Sequence, residues 1–438
     1  YVSGKTEPRR DILKVLAQAL EVDYLWLEGD DVAMTADSHP AKEQQSKNSW
    51  SIGEDGMRTF NKSSKLDNVL YDVRGPVVDE ATRMEEAGTH VLKLNIGNPA
   101  PFGFRTPDEV IYDMRQQLTD CEGYSNAMGL FSARKAIMQY AQLKHIPNVN
   151  INDIYTGNGV SELINLCMSA LLDNGDEILI PSPDYPLWTA CATLAGGKPV
   201  HYICDEESEW YPDIDDIRKK INDRTKAIVI INPNNPTGNF LTEAELDAFL
   251  AKVPENVIVV LDEAYTEFTH PSERVNSFAL LDKYPNLIVS RSLSKAYGLA
   301  GLRIGYAVSN PEIADLLNRV RQPFNCNSLA LTSAIAVMND DAFVEKVAEN
   351  NRQEMKRYEA FCQQYGLDFI PSKGNFITID FKQPAAPIYD TLLREGVIVR
   401  PIAGYGMPNH LRISIGLPRE NDKFFTALKK VLNLGNEK

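Results

Sequence analysis

Lys295 is the residue most able to do chemistry in this chain. It lies in Ser290-Arg291-Ser292-Leu293-Ser294-Lys295, three residues after Ser292 and eight before Arg303. Two further clusters lie upstream. Asn232-Pro233-Asn234-Asn235-Pro236-Thr237-Gly238 presents amides in a turn-forming run, and Asp262-Glu263-Ala264-Tyr265 presents a carboxylate beside a phenol. Each cluster directly follows a short apolar run: Ala227–Ile231, Val257–Leu261 and Leu287–Val289. Such runs lack the alternation of a half-exposed strand and read as strands buried on both faces. In open parallel sheets, ligands bind beyond the carboxyl ends of the strands. Three strand ends therefore deliver an amide, a carboxylate with a phenol, and hydroxyls with a lysine and an arginine.

These groups suit an aromatic aldehyde phosphate, pyridoxal 5′-phosphate. A lysine amine can condense with the aldehyde and later move the substrate's α-proton. A carboxylate against the pyridine nitrogen keeps it protonated, so that the ring accepts electrons. A phenol and an amide can hold the ring oxygen, and a phosphate calls for hydroxyls, an arginine fork and a helix N-terminus. Lys295, Asp262, Tyr265 with Asn235, and Ser292 with Arg303 fill these posts. The helix N-terminus is Gly159-Val160-Ser161, in Thr156–Ser161 ahead of an amphipathic helix carrying Leu163, Leu166, Cys167, Ala170 and Leu171. Each residue has an ordinary structural reading as a cap, turn or surface charge. Their joint placement at successive strand ends favours the chemical one.

The positioning elements are those of an α/β protein. Apolar runs at Glu177–Ile180, Ala227–Ile231, Val257–Leu261, Leu287–Val289 and Ile304–Val308 alternate with helical segments such as Thr242–Lys252. This pattern predicts a mainly parallel sheet sandwiched by helices, with a smaller α/β C-terminal lobe containing strands at Phe376–Phe381 and Leu411–Ile415. The net charge of −15 (45 basic, 60 acidic) disfavours nucleic acid and anionic membrane as partners. Six separated cysteines without a CxxC and six scattered histidines give no disulfide framework and no metal motif, and fit a reducing, cytoplasmic setting. Residues 32–62 are polar and read as a flexible linker.

The motifs at Asn232–Gly238, Leu261–Tyr265 and Ser292–Tyr306 (SLSKAYGLAGLRIGY) resemble those of class I/II aminotransferases, the fold-type I pyridoxal-phosphate enzymes. The resemblance runs from about Lys65 to Leu432. It implies a homodimer with a large cofactor domain (101–310), a small C-terminal domain (311–438) and an N-terminal segment (63–100) joining the small domain. It further implies that Tyr185 in PSPDYPLW stacks on the cofactor ring. Tyr124 would reach the phosphate across the dimer, Arg412 in LRISIG would bind the substrate carboxylate or its equivalent, and the Gly97 backbone would close over the substrate. Lys62 to about Gly238 resembles bacterial alanine-type aminotransferases; from Asn239 onward the chain resembles histidinol-phosphate aminotransferase. This suggests a chimera with its seam at or near Asn232–Gly238. Residues 1–31 resemble the end of a lambda-repressor-type helix-turn-helix domain without its recognition helix. In the histidinol-phosphate family two arginines hold the substrate phosphate, and Arg400 and Arg412 match them. The expected reaction is amino transfer from glutamate/2-oxoglutarate, leaning to histidinol phosphate/imidazole-acetol phosphate over alanine/pyruvate. A pyridoxal-phosphate lyase or decarboxylase and a DNA-binding regulator with an enzyme-like sensor are the competing readings.

Overall fold

The computed structural model describes residues 63–69, 76–98, 103–124, 130–143 and 150–434. The described residues from Ser64 onward belong to one compact unit. The helix-turn-helix remnant and the linker expected in 1–62 lie outside the described residues.

The strands are β1 (Leu92–Lys93), β2 (Ile154–Gly157), β3 (Glu177–Ser182), β4 (Lys198–Ile203), β5 (Thr225–Ile231), β6 (Ile258–Asp262), β7 (Leu287–Ser292), β8 (Gly305–Ser309), β9 (Asp368–Ile370), β10 (Phe376–Asp380), β11 (Val397–Ile398), β12 (Arg400–Pro401) and β13 (His410–Ser414). Seven of them build one sheet in the order β2-β8-β7-β6-β5-β3-β4. The five continuous apolar runs are all strands of this sheet. β3, β4, β5, β6 and β7 pair in parallel, while β8 runs antiparallel to both β7 and β2. The sheet is therefore mostly parallel, as expected, with one reversed strand near its edge. Val229, Val259, Ile288 and Val289 are completely buried because helices cover both faces. Each such side chain contributes roughly 1.5–3 kcal/mol on burial.

Two lobes follow from the packing. Cores on the two faces of the large sheet contain Ile228, Leu261 and Leu293 on one side and Ile178, Val229 and Ile288 on the other. A separate core joins Leu92 and Leu94 to Ile377, Leu392, Leu411 and Phe424. The second lobe carries a four-stranded sheet, β12-β13-β10-β9, and the parallel pair β1-β11. The N-terminal segment is tied to this lobe by backbone bonds from Leu94 N to Ile398 O (2.7 Å) and from Ser414 N to Leu94 O (2.9 Å). Helices Pro311–Val320 and Ser328–Val337, which the sequence reading grouped with the C-terminal domain, instead bury Leu317, Leu331 and Val337 in the cores of the large sheet. No described helix is long and apolar enough to cross a membrane.

Candidate active site

Register collects the candidate residues at one edge of the large sheet. Ile231 pairs with Asp262, Asp262 with Ser290, Ser292 with Gly305, and Gly305 with Gly157. Thus the ends of β5, β6, β7 and β2 lie side by side, and the loops after them share one space. The reversal of β8 brings its N-terminal end, and Arg303 just before it, to the same edge.

Asp262 ends β6 at 3% exposure. Its Oδ1 accepts from Ala264 N (3.2 Å) and its Oδ2 from Trp188 Nε1 (3.4 Å). Neither donor is charged, and burial pushes the carboxyl up to about 6. Lys295 is half-buried, its ammonium 5.8 Å from the Tyr265 ring centroid. Desolvation, then the charges of Arg412, Arg303 and Arg400, lower its amine to about 8. A buried carboxylate without a cationic partner and an amine close to its neutral form are what a cationic ring nitrogen and a carbonyl carbon require.

The Tyr265 hydroxyl accepts from Asn235 Nδ2 at 3.2 Å, and its ring stands edge-on to Phe376 at 5.2 Å. Asn235 Oδ1 accepts in turn from Arg412 Nη1 at 2.5 Å, and Arg412 Nη2 donates to Asn95 O at 2.9 Å. Arg412 sits on β13 of the small sheet, so this chain of bonds crosses from one lobe to the other. Arg400, on β12, lies directly opposite Arg412.

Ser292 is buried, its Oγ accepting from Ser294 N at 3.0 Å. The helix Gly159–Leu171 begins beside it, with Gly159 at φ +70°. A Cβ on Gly159 would lie 2.6 Å from Arg303 Nη2, and one on Gly305 would lie 3.0 Å from Val160 N. Only glycine allows the guanidinium and the helix start to come this close. Arg303 adopts the left-handed conformation (φ +57°) and donates to Ala300 O (3.1 Å) and Asn158 O (3.5 Å). Ser292, Ser294, Arg303 and the free N–H groups of Gly159, Val160 and Ser161 thus form an anion cradle. The donor set fits pyridoxal phosphate from ring nitrogen to phosphate.

The sequence of residues 89–428 matches the family model for aminotransferase class I and II. The chain belongs to that family. These aminotransferases use pyridoxal 5′-phosphate. The chain is 60% identical over 363 residues to histidinol-phosphate aminotransferase 2 of Haemophilus influenzae, covering 82% of this chain and 94% of the relative. It is 41% identical over 404 residues to glutamate–pyruvate aminotransferase AlaA of the same species, covering 86% of this chain and 99% of the relative. A crystal structure of an Escherichia coli aminotransferase superposes with a TM-score of 0.77 at 37% identity, covering 87% of this chain and 100% of that one. The chimera reading finds no support here. Alignments of this length in a 438-residue chain must run through Asn232–Gly238, so each relative matches both sides of the expected seam.

The remaining candidates are placed less centrally in this aminotransferase. Tyr185 is half-buried in the loop after β3 and packs against the core on one face of the sheet. Gly97 is buried where a Cβ would meet the Asn375 amide at 2.7 Å. Tyr124 stands at the surface, 87% exposed, its ring stacked on Phe324 at 4.6 Å. Sequence reasoning missed Trp188 on Asp262, Asn95 on Arg412 and Phe376 beneath both Tyr265 and Arg412 (Cζ 5.1 Å from the ring centroid). Trp188 lies three residues from Tyr185 in the motif already singled out, the one available signal.

Proposed function

We propose that this aminotransferase moves an amino group between glutamate/2-oxoglutarate and a phosphorylated amino alcohol of the histidinol-phosphate type. The observation that carries the choice is the arginine pair. Arg400 and Arg412 face each other directly across β12 and β13. Like charges directly opposite one another on a sheet destabilise it, and the Nε atoms of both are buried without a hydrogen-bond partner. A phosphate dianion entering between two guanidinium forks relieves the repulsion and supplies the missing acceptors. The 60% identity to a protein named histidinol-phosphate aminotransferase supports the same reading. Alanine/pyruvate is the second reading. It is favoured by the likeness to AlaA and by Arg412, whose fixed fork suffices for one carboxylate.

In this reading Lys295 holds the cofactor and moves the α-proton, its lowered basicity leaving a fraction of the amine neutral near pH 8. Asp262 keeps the proton on the ring nitrogen, Tyr265 and Asn235 orient the ring oxygen, and Tyr185 covers the ring face. Ser292, Arg303 and Gly159-Val160-Ser161 hold the phosphate, while Gly97 borders the substrate. The cofactor supplies electron withdrawal from the substrate's α-carbon. The relatives described above are named aminotransferases, which is what the lyase reading lacks. A homodimer in the cytoplasm is the proposed working form, with the exposed Tyr124 completing the partner's phosphate site.

The test is Arg400→Ala. The value of kcat/KM for histidinol phosphate should fall ~10–100-fold, since a hydrogen bond to a charged group is worth ~1.5–3 kcal/mol. Alanine transamination should hardly change. Equal losses with both substrates, or no turnover of histidinol phosphate by the unmutated protein, would overturn the preference.

A further inference from the structure

A second cluster of chemically capable side chains lies where the two lobes meet. Asp380 ends β10 and His410 begins β13, and the two are direct cross-strand partners on one face of the small sheet. Glu206 comes from the other lobe, three residues beyond β4. One ligand atom from each lies within 4.8 Å of the others. His410 is 9% exposed, yet both its ring nitrogens lack a hydrogen-bond partner, with Nε2 3.8 Å from Asp380 Oδ2. A buried imidazole left unsatisfied calls for explanation. A cation already sits nearby. Lys382 Nζ lies 2.7 Å from Asp380, 3.3 Å from Asp368 and 3.5 Å from Glu206. Its side chain is 59% exposed, so it can swing away towards Asp368. The cluster opens into a cavity of about 450 Å³ that Trp210 also lines.

We propose that Glu206, Asp380 and His410 form a site for a divalent transition-metal ion of the zinc class, for which Lys382 is the built-in competitor. One imidazole and two carboxylates, with water completing the shell, suit zinc and its neighbours rather than calcium or magnesium, which take oxygen ligands alone. The site has a mechanical consequence. His410 and Arg412 are two residues apart on β13 and face the same side, a separation of about 7 Å along the strand. Asp380 and Thr378 are likewise two apart on β10, and Thr378 Oγ1 donates to Pro236 O of the other lobe at 2.6 Å. A metal joining Glu206 to Asp380 and His410 holds the sheet that carries Arg412 to the large lobe more firmly than Lys382, which bridges the same two carboxylates through one mobile ammonium. If turnover needs the lobes to move, occupancy slows it reversibly. The scattered histidines gave no sequence signal for the site, because Asp380 and His410 meet only through strand register and Glu206 arrives from the other lobe.

The test is equilibrium dialysis of the pyridoxal-phosphate-loaded enzyme against zinc, with the bound metal quantified, which is independent of the substrate assigned above. About one ion per chain should bind to this site. Glu206→Gln, at an exposed position where folding is not at risk, and His410→Ala should each weaken binding ~10-fold or more. Lys382→Met should tighten it by about the same factor. Zinc should slow reaction with glutamate in the unmutated enzyme and much less in Glu206→Gln. Unchanged affinity in both Glu206→Gln and His410→Ala, or weaker binding in Lys382→Met, would overturn the proposal.

Discussion

Replacing Asp262 with asparagine should make the cofactor-free protein more stable while removing its activity. Burial raises this carboxyl from 3.8 to about 6. Because the folded value lies above the unfolded one, the native state holds the proton more tightly, and the associated stability is lost as pH rises through about 6. By pH 7.5 the charge costs the folded protein about 3 kcal/mol, at 1.36 kcal/mol per unit. Asparagine is nearly isosteric and keeps one oxygen, which can accept from Ala264 N, while its amide nitrogen replaces the oxygen that accepts the long 3.4 Å bond from Trp188 Nε1. Its amide N–H groups face no acceptor, which returns ~1 kcal/mol or more. The net gain at pH 7.5 is therefore about 2 kcal/mol. At pH 5 the native carboxyl is already protonated, and the gain should be smaller by ~1.4 kcal/mol. That pH difference is insensitive to packing changes. Urea unfolding of both cofactor-free proteins at the two pH values measures it. Transamination should meanwhile fall ~10²-fold or more, equivalent to at least ~2.7 kcal/mol of barrier. Equal stability changes at pH 5 and 7.5 would show that Asp262 carries no burial penalty and would refute the electrostatic argument. Near-normal kcat would refute its place against the ring nitrogen.

Lys295→Ala should abolish turnover and the long-wavelength absorption of the cofactor-bound protein, and a variant keeping both would remove Lys295 from its role. Arg291→Met should destabilise the fold by ~3–5 kcal/mol, because Glu263, 1% exposed at its side chain, would lose the 3.0 Å partner that balances its charge. Chemical denaturation of Arg291→Met reads this directly, and a loss below ~1 kcal/mol would mean that Glu263 takes up a proton instead.

What was legible in the sequence was whatever the chain keeps local. Lys295, Ser292 and Arg303 lie within twelve residues of one another, and three of the apolar runs end where a cluster of polar candidates begins, so strand ends could be read without knowing strand order. Those runs are apolar because both faces of the sheet are covered, which also made them easy to find. β2 (Ile154–Gly157) and β4 (Lys198–Ile203) escaped notice for opposite reasons. The first has only two large apolar residues before Thr156 and Gly157, and the second lies at the sheet edge with half of its side chains facing solvent. The reversed direction of β8 has no local signature, since a strand buried on both faces looks the same in either orientation. The grouping of Pro311–Val337 was hidden for a similar reason. An apolar helix face states that it is buried, not against which core.

The bond network around Asn235 shows why the cofactor and substrate sides cannot be treated as separate inventories. The amide has one acceptor oxygen and one donor nitrogen, and both are used: Nδ2 donates to Tyr265, and Oδ1 accepts from Arg412. Either bond fixes the orientation of the amide for the other. Tyr265 belongs to the loop after β6 in the large lobe, Arg412 to β13 in the small one, and Asn95 O, on the N-terminal segment, holds the other arm of the guanidinium. A substrate anion that draws Arg412 towards Arg400 therefore acts on Asn235, and through it on the phenol beside Lys295. Sequence motifs place Asn235, Tyr265 and Arg412 in three distant stretches with three separate roles. Their coupling appears only when register sets Arg412 opposite Arg400 and the lobes meet. In the proposed reading, substrate choice in this aminotransferase rests on the least local feature of the fold, the alignment of two short strands around a pair of like charges.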